Sequence, residues 1–453
     1  MKNVDMIHGN LIRAIIRYAI PVLFMGLIQK LFNAVDIMVL GAVADTNAVA
    51  SVGATSSIVS LLIDSFFGIS SGTRVVLSRL LGAGEEKKAQ KTASTSILIA
   101  LGLGLLTALA GFLFAPTFLS VTKCPAECYD GALTYLRIYL LAAPAVLLYN
   151  FGSAILEVSG DTKRPLIYMM IAGAMNVVLN LLLCMVLEEK VAAVAIATAV
   201  SQLTGAVLVL IRLFRMEGIC RLRLRRMRWS NSSFVAIMKN GLPIALYSAM
   251  YPFANLQIQT QVNSFGPAYI AGSTATSNLD SILATVAVTP LAHAITAFMG
   301  QNMGAGKPER VKKTILFCTT VSVLMSLALG VLGSTVFARP LISLFVSDEA
   351  AMAAGRERLL YVMLPYCIAA VGSCLARVIQ SFGYSAYTTV NSIVTVCLFR
   401  FFWTATVYAA YPTFGVLCLC FPVSWALSAL VNLPFALYLY YGRYKKGKLK
   451  RVM

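Results

Sequence analysis

The sequence predicts an all-α polytopic membrane protein of about 12 transmembrane helices. They form two six-helix bundles related by a parallel pseudo-twofold repeat. Three observations carry this. Hydrophobic residues are 59% of the 453 positions and charged residues 12%, against roughly 25% charged in a soluble domain. The apolar segments are long, and spans of about 20 residues with short loops accommodate about twelve crossings. The two halves also share landmarks at one fixed spacing.

The apolar spans fall at about 17–41, 48–78, 93–115, 131–156, 165–187, 191–214, 237–264, 268–299, 314–338, 357–382, 386–410 and 415–441. The charged start runs into the first span with no small-residue cleavage site, so that span is expected to stay. The net charge of +19 sits mainly in alternate loops. The basic side has Lys2, Arg13 and Arg17, then Lys87, Lys88 and Lys91, then Lys163 and Arg164. The stretch Arg215–Arg228 follows, then Lys307, Arg310, Lys312 and Lys313, and finally a basic tail ending in Lys448, Lys450 and Arg451. The opposite loops hold little beyond Lys123, Lys190, Arg339, Arg356 and Arg358. Charge of this pattern orients spans rather than binding nucleic acid, and it places both termini in the cytoplasm.

Gly82-Ala83-Gly84 and Gly304-Ala305-Gly306 each follow an apolar span and open a basic stretch. The spacing between them also separates Pro21 from Pro243 and Asn33 from Asn255. With six spans in each half, the halves point the same way through the membrane, an arrangement used by alternating-access transporters. The expected division is 1–214 and 237–442, with a basic linker at 215–236 and a tail at 443–453.

The functional candidates are polar residues inside spans. Asp36 in the first span is the leading one, because an intramembrane carboxylate normally faces protein or a wet cavity. Gln29, Asn33 and Asp36 share a helical face. Tyr135, Asn150, Ser153 and Glu157 lie in the fourth span, Asn176 and Asn180 one turn apart in the fifth, and Thr198 and Gln202 in the sixth. Lys30 and Asp64 are candidates for a buried ion pair. Asn255, Asp280 and Arg400 are the second-half counterparts, and whether Asp280 meets Arg400 is open. Pro21, Pro144, Pro243, Pro290 and Pro365 lie within spans, where they kink helices.

Enzyme chemistry is not expected. The only histidines are His8 and His293, and no HExxH, GxSxG or Walker loop occurs. No cofactor is expected. Cys124 and Cys128 fall in an outer loop, as free thiols, a bonded pair or a soft-metal pair. The other eight cysteines lie mostly in apolar segments as small hydrophobes.

Two six-helix halves, a Pro opening the first span, the segment FNAVDIMVLG closing it and the paired Gly-Ala-Gly loops resemble the multidrug and toxic compound extrusion (MATE) family. This family belongs to the multidrug/oligosaccharidyl-lipid/polysaccharide flippase superfamily, and the first half looks closest to its DinF-like branch. The resemblance covers nearly the whole chain. It implies an N-lobe cavity at Pro21, Gln29, Asp36, Tyr135, Asn150, Asn176, Asn180 and Thr198, with Ser153 where a second Asn is expected. Asn180 departs from the branch, which carries Asp there. The acidic residues expected of NorM-like members in the seventh and tenth helices are also missing. The resemblance implies H⁺- or Na⁺-coupled antiport of small, cationic or amphipathic organic compounds. A sodium ion would use Asp36, Asn176, Asn180 and Thr198. A monomer in the bacterial cytoplasmic membrane is expected. The alternative is a flippase for a lipid-linked saccharide, which would present cations such as Lys30 and Arg400 to a pyrophosphate.

Overall fold

The computed structural model describes residues 3–43, 46–121, 124–223, 225 and 227–447, with side chains at 32–38, 41–43, 46, 47, 49 and 57 left out of the description. Asp36 and Asn33 therefore lie outside the described side chains. Lys2, Lys123, Arg226, Lys448, Lys450 and Arg451 lie outside the described residues altogether.

The described chain is helical and contains no strand. Its helices are Leu11–Val43 (α1), Thr46–Gly82 (α2), Glu86–Val121 (α3), Ala126–Leu141 (α4), Ala143–Val158 (α5), Lys163–Val186 (α6), Lys190–Arg215 (α7) and Asn231–Asn263 (α8). The second half continues with Pro267–Gly304 (α9), Pro308–Val336 (α10), a short Ala338–Ser343 (α11), Glu349–Met363 (α12), Tyr366–Ser381 (α13), Ser385–Tyr408 (α14) and Phe414–Tyr444 (α15). Among the described residues, nine helices are long and apolar enough to cross a membrane, or eleven when each of two bent pairs counts as one. The twelfth is α8. Its 33 residues reach about 50 Å, but Asn255 and three glutamines make it too polar to qualify by composition.

The two bent pairs are the expected fourth and tenth spans. Helices α4 and α5 meet at 45°, and α12 and α13 at 43°. Pro144 at the start of α5 and Pro365 before α13 explain both breaks, since neither can donate the backbone hydrogen bond that would continue the helix. A glycine faces each break. A Cβ on Gly104 of α3 would come within 2.4 Å of Pro144 Cα, and one on Gly330 of α10 within 2.6 Å of Met363 O. The two Gly-Ala-Gly loops also fold alike. Gly84 and Gly306 take positive φ of 68° and 66°. Glu85 N–H donates to Leu80 O at 3.0 Å and Lys307 N–H to Asn302 O at 2.9 Å. This is the Schellman way of closing a helix, so the sequence repeat is a repeat of geometry.

Packing divides the chain into two compact units. One holds Met1–Asp5 and Phe24–Gly241, the other Met6–Leu23 and Leu242–Met453. Helices α1 and α8 thus change unit beside Pro21 and Pro243. A division at 214 and 237 does not show this exchange. In the second unit the N-terminal segment is gripped by its carbonyls: Met6 O accepts from Asn302 Nδ2 at 2.9 Å, Ile7 O from Lys307 Nζ and Gly9 O from Arg310 Nη1, both at 3.0 Å. Tyr18 meets Phe298 edge-on at 5.5 Å. In the first unit the basic stretch after α7 is anchored, with Met216, Cys220 and Leu222 buried and Leu222 N–H bonded to Leu213 O at 2.9 Å.

Candidate functional site

In the first unit, α4, α6 and α7 bring the polar stripes together. Tyr135 and Tyr139, one turn apart on α4, stack at 6.2 Å. They pack into a buried cluster with Leu40, Cys184 and Val194. One turn before Cys184 on α6 stands Asn180, and one turn after Val194 on α7 stands Thr198. These close a directional chain. Asn180 Nδ2 donates to Asn176 Oδ1 at 3.3 Å, Asn176 Nδ2 to Thr198 Oγ1 at 3.3 Å, and Thr198 Oγ1 to Val194 O at 3.0 Å. All three side chains are buried. On α5, Asn150 Nδ2 donates to Val146 O at 3.0 Å, and Ser153 Oγ is buried without a hydrogen bond. Gln29 is exposed on α1, whereas Pro21 is buried and belongs to the other unit.

Lys30 and Asp64 form no ion pair. Lys30 is exposed and Asp64 half-buried. Glu157 is not free to line a cavity, because it is locked to Arg74. Arg74 Nε reaches Glu157 Oε2 at 3.0 Å and Nη2 reaches Oε1 at 3.4 Å, with both side chains almost fully buried. Arg74 Nη1 also donates to Ser70 and Ser71, and the guanidinium lies 4.9 Å over Phe67. Arg74 was not among the sequence candidates. Its signal is a cation inside the Ser-rich stretch ISSGTR.

In the second unit Asp280 and Arg400 do not pair. Asp280 Oδ2 accepts from Arg358 Nη1 at 2.7 Å, and the same nitrogen reaches Thr276 Oγ1 at 2.9 Å. Arg400 donates from Nη1 to Asn255 Oδ1 at 2.6 Å and from Nε and Nη2 to Ser424 Oγ at 3.4 Å. Both guanidiniums lie against the Phe421 ring, Arg400 at 4.4 Å and Arg358 at 5.6 Å. Gln257 Nε2 donates to Thr404 Oγ1 at 2.6 Å. Arg358, read from sequence as a loop charge, is thus a buried residue of this cluster. Cys124 and Cys128 are both free thiols.

The MatE family model matches residues 21–182 and 243–406, beginning at the two equivalent prolines. The probable multidrug resistance protein YpnP of Bacillus subtilis is 26% identical over 99% of both chains. The multidrug export protein MepA of Staphylococcus aureus is 21% identical over 84% of both. The fold is that of a solved multidrug resistance MATE family transporter of the MOP superfamily, captured in an outward-facing conformation. Its TM-score is 0.89 at 20% identity, over 98% of this chain and 99% of that one.

Proposed function

The chain belongs to the MatE family, and from that premise we propose that it is a secondary active exporter coupling ion entry to removal of organic compounds by alternating access. It is a membrane transporter; YpnP is named as a probable multidrug resistance protein and MepA as a multidrug export protein. The ion couples at Asp36 in the first unit. The observation that carries this reading is the buried chain from Asn180 through Asn176 to Thr198. It is a fixed polar wall on α6 and α7 in the unit that contains the only carboxylate of the first span.

The same chain favours protons over sodium. Asn176 Oδ1 and Thr198 Oγ1 already accept hydrogen bonds within it, whereas sodium needs several oxygens turned toward it. Protonation of Asp36 removes the charge that holds a cationic compound or a polar network. Bending of α1 at Pro21, where the helix passes between units, then narrows the N-lobe cavity. Small cationic or amphipathic compounds are the cargo, and the protein works as a monomer.

Purified protein in proteoliposomes tests this, with a proton or a sodium gradient imposed separately and a fluorescent organic cation followed. Transport is expected under ΔpH alone and is expected to fall at least tenfold in Asp36→Asn. Full transport by Asp36→Asn, with unchanged gradient dependence, would falsify the coupling. A requirement for sodium assigns the site to the metal ion instead.

Both termini face the cytoplasm of a bacterial plasma membrane, as the basic loops direct. That orientation places Cys124 outside and Cys220 inside. A membrane-impermeant maleimide is expected to modify Cys124 in intact cells. After permeabilisation Cys220 still resists at neutral pH. Burial pushes its thiol up to about 11, offset in part by Ser159, so the reactive thiolate is scarce until strongly alkaline pH. Failure to label Cys124 from outside, with labelling after permeabilisation, reverses the orientation.

A further inference from the structure

The described charges buried around the Phe421 ring do not balance. Arg358 and Asp280 neutralise one another at 2.7 Å. Arg400, 1% exposed, has only neutral acceptors, Asn255 and Ser424, and no described carboxylate pairs with it. A buried guanidinium without a counter-charge is costly, and the second cation on the Phe421 ring adds to the cost. An anion close to Arg400 relieves both.

The geometry supplies a way in. Asn255, the acceptor on Arg400 Nη1, is itself exposed. It stands in a polar stripe that recurs every fourth residue of α8: Tyr247, Tyr251, Asn255, Gln259 and Asn263. Tyr247 and Tyr251 hydroxyls lie 3.4 Å apart, and Gln259 Nε2 donates to Asn263 Oδ1 at 3.0 Å. One helix face carrying five polar side chains over four turns does not face hydrocarbon. Such a face is expected to border water, and Arg400 sits one side chain behind its middle.

We infer that Arg400 and Asn255 form a recognition point for the anionic group of a transported organic compound. A carboxylate or phosphate oxygen of the cargo replaces Asn255 Oδ1 as the acceptor on Arg400 Nη1. This point lies in the second unit, apart from the Asp36 region. Arg400 is suited to it because its planar guanidinium is always charged and matches an oxyanion with two parallel donors. The proposal rests on the export reading, since it names a chemical class of cargo. The exporter then accepts compounds with an acidic group as well as cationic ones.

The test is equilibrium binding to the full-length protein in nanodiscs, which needs no ion gradient and so fails or succeeds independently of the coupling at Asp36. Trp425 packs 6.0 Å from Phe421, the ring under Arg400, and reports on the site by fluorescence. The probes are 1-naphthylacetate and its neutral amide, with empty nanodiscs subtracting partition. Wild type is expected to bind the carboxylate at least tenfold more tightly than the amide. Asn255→Asp supplies an internal counter-ion without adding bulk and is expected to erase that preference. Arg400→Gln is expected to do the same. Equal binding of acid and amide by wild type, or an undiminished preference in Asn255→Asp, overturns the proposal. Displacement of the naphthylacetate by chloride or inorganic phosphate at equal concentration assigns the site to a small inorganic anion and also overturns it.

Discussion

Arg74→Leu is expected to lower stability by about 3–5 kcal/mol, the usual cost of leaving one partner of a buried ion pair uncompensated. The substitution strands the Glu157 carboxylate, which is 3% exposed, and empties the positions now held against Ser70 and Ser71. Glu157→Leu is expected to cost a comparable amount, since it strands the guanidinium. The double variant is expected to recover most of the loss, because two apolar side chains of similar volume replace a pair whose desolvation offsets its attraction. Denaturant unfolding of the purified protein in mild detergent, comparing the two single variants with the double, measures the coupling. If the single losses simply add in the double variant, the pair is not acting as one unit. The substitutions also separate structure from transport. Glu157 lies in the span that carries Asn150 and Ser153, yet its role here is to hold α5 against α2. A double variant that is stable and still exports compounds removes Glu157 from any list of coupling acids.

This pair shows where sequence reasoning reached and where it stopped. Features written in local order were legible. The Gly-Ala-Gly loops predicted helix ends, and Gly84 and Gly306 have the left-handed φ such ends require. Pro144 and Pro365 predicted kinks, and both bends lie beside them. The one-turn spacings of Asn176 with Asn180 predicted a shared face, and the two side chains are hydrogen-bonded. What stayed hidden was the partner of each buried charge. Periodicity says which face a residue occupies, not which residue of a distant helix stands opposite. Asp280 therefore had no visible mate, because Arg358 read as a loop cation near the end of an apolar span. The polarity of α8 is visible in the sequence as Gln257, Gln259 and Gln261, which alternate and so cannot share one face. Its order emerges only with the every-fourth-residue stripe through Asn255. Asn255 was flagged as the repeat mate of Asn33 and as a second-half polar candidate, and its contact with Arg400 gives that flag a chemical meaning.

Gly72→Leu is expected to be among the most damaging single changes in the first unit, costing several kcal/mol or preventing folded expression. Helices α2 and α8 cross there backbone to backbone. A Cβ on Gly72 would lie 2.4 Å from Ile237 O and 2.7 Å from Gly241 N, and one on Gly241 would lie 2.5 Å from Ile69 O. The obstacle in each case is main chain, which cannot turn aside as a side-chain tip can. Overpacking of a tight site typically costs about 1–3 kcal/mol for small additions, and a branched side chain asks for more. Glycine contacts of this kind let membrane helices gain dispersion energy in the absence of a hydrophobic drive between them. Gly72→Ala and Gly241→Ala are expected to be milder, each shifting the unfolding midpoint in the same direction. Their combination is expected to be less than additive, because one separation of the helices accommodates both methyls. Size-exclusion monodispersity and unfolding midpoints of the four variants decide the matter, and wild-type stability in Gly72→Leu would mean that the two helices separate here without cost. The crossing also has a functional weight. It lies two residues before Pro243, where α8 leaves the first unit. A wedge there disturbs the helix that carries Asn255, so Gly72→Ala should reduce export further than its loss of stability alone explains.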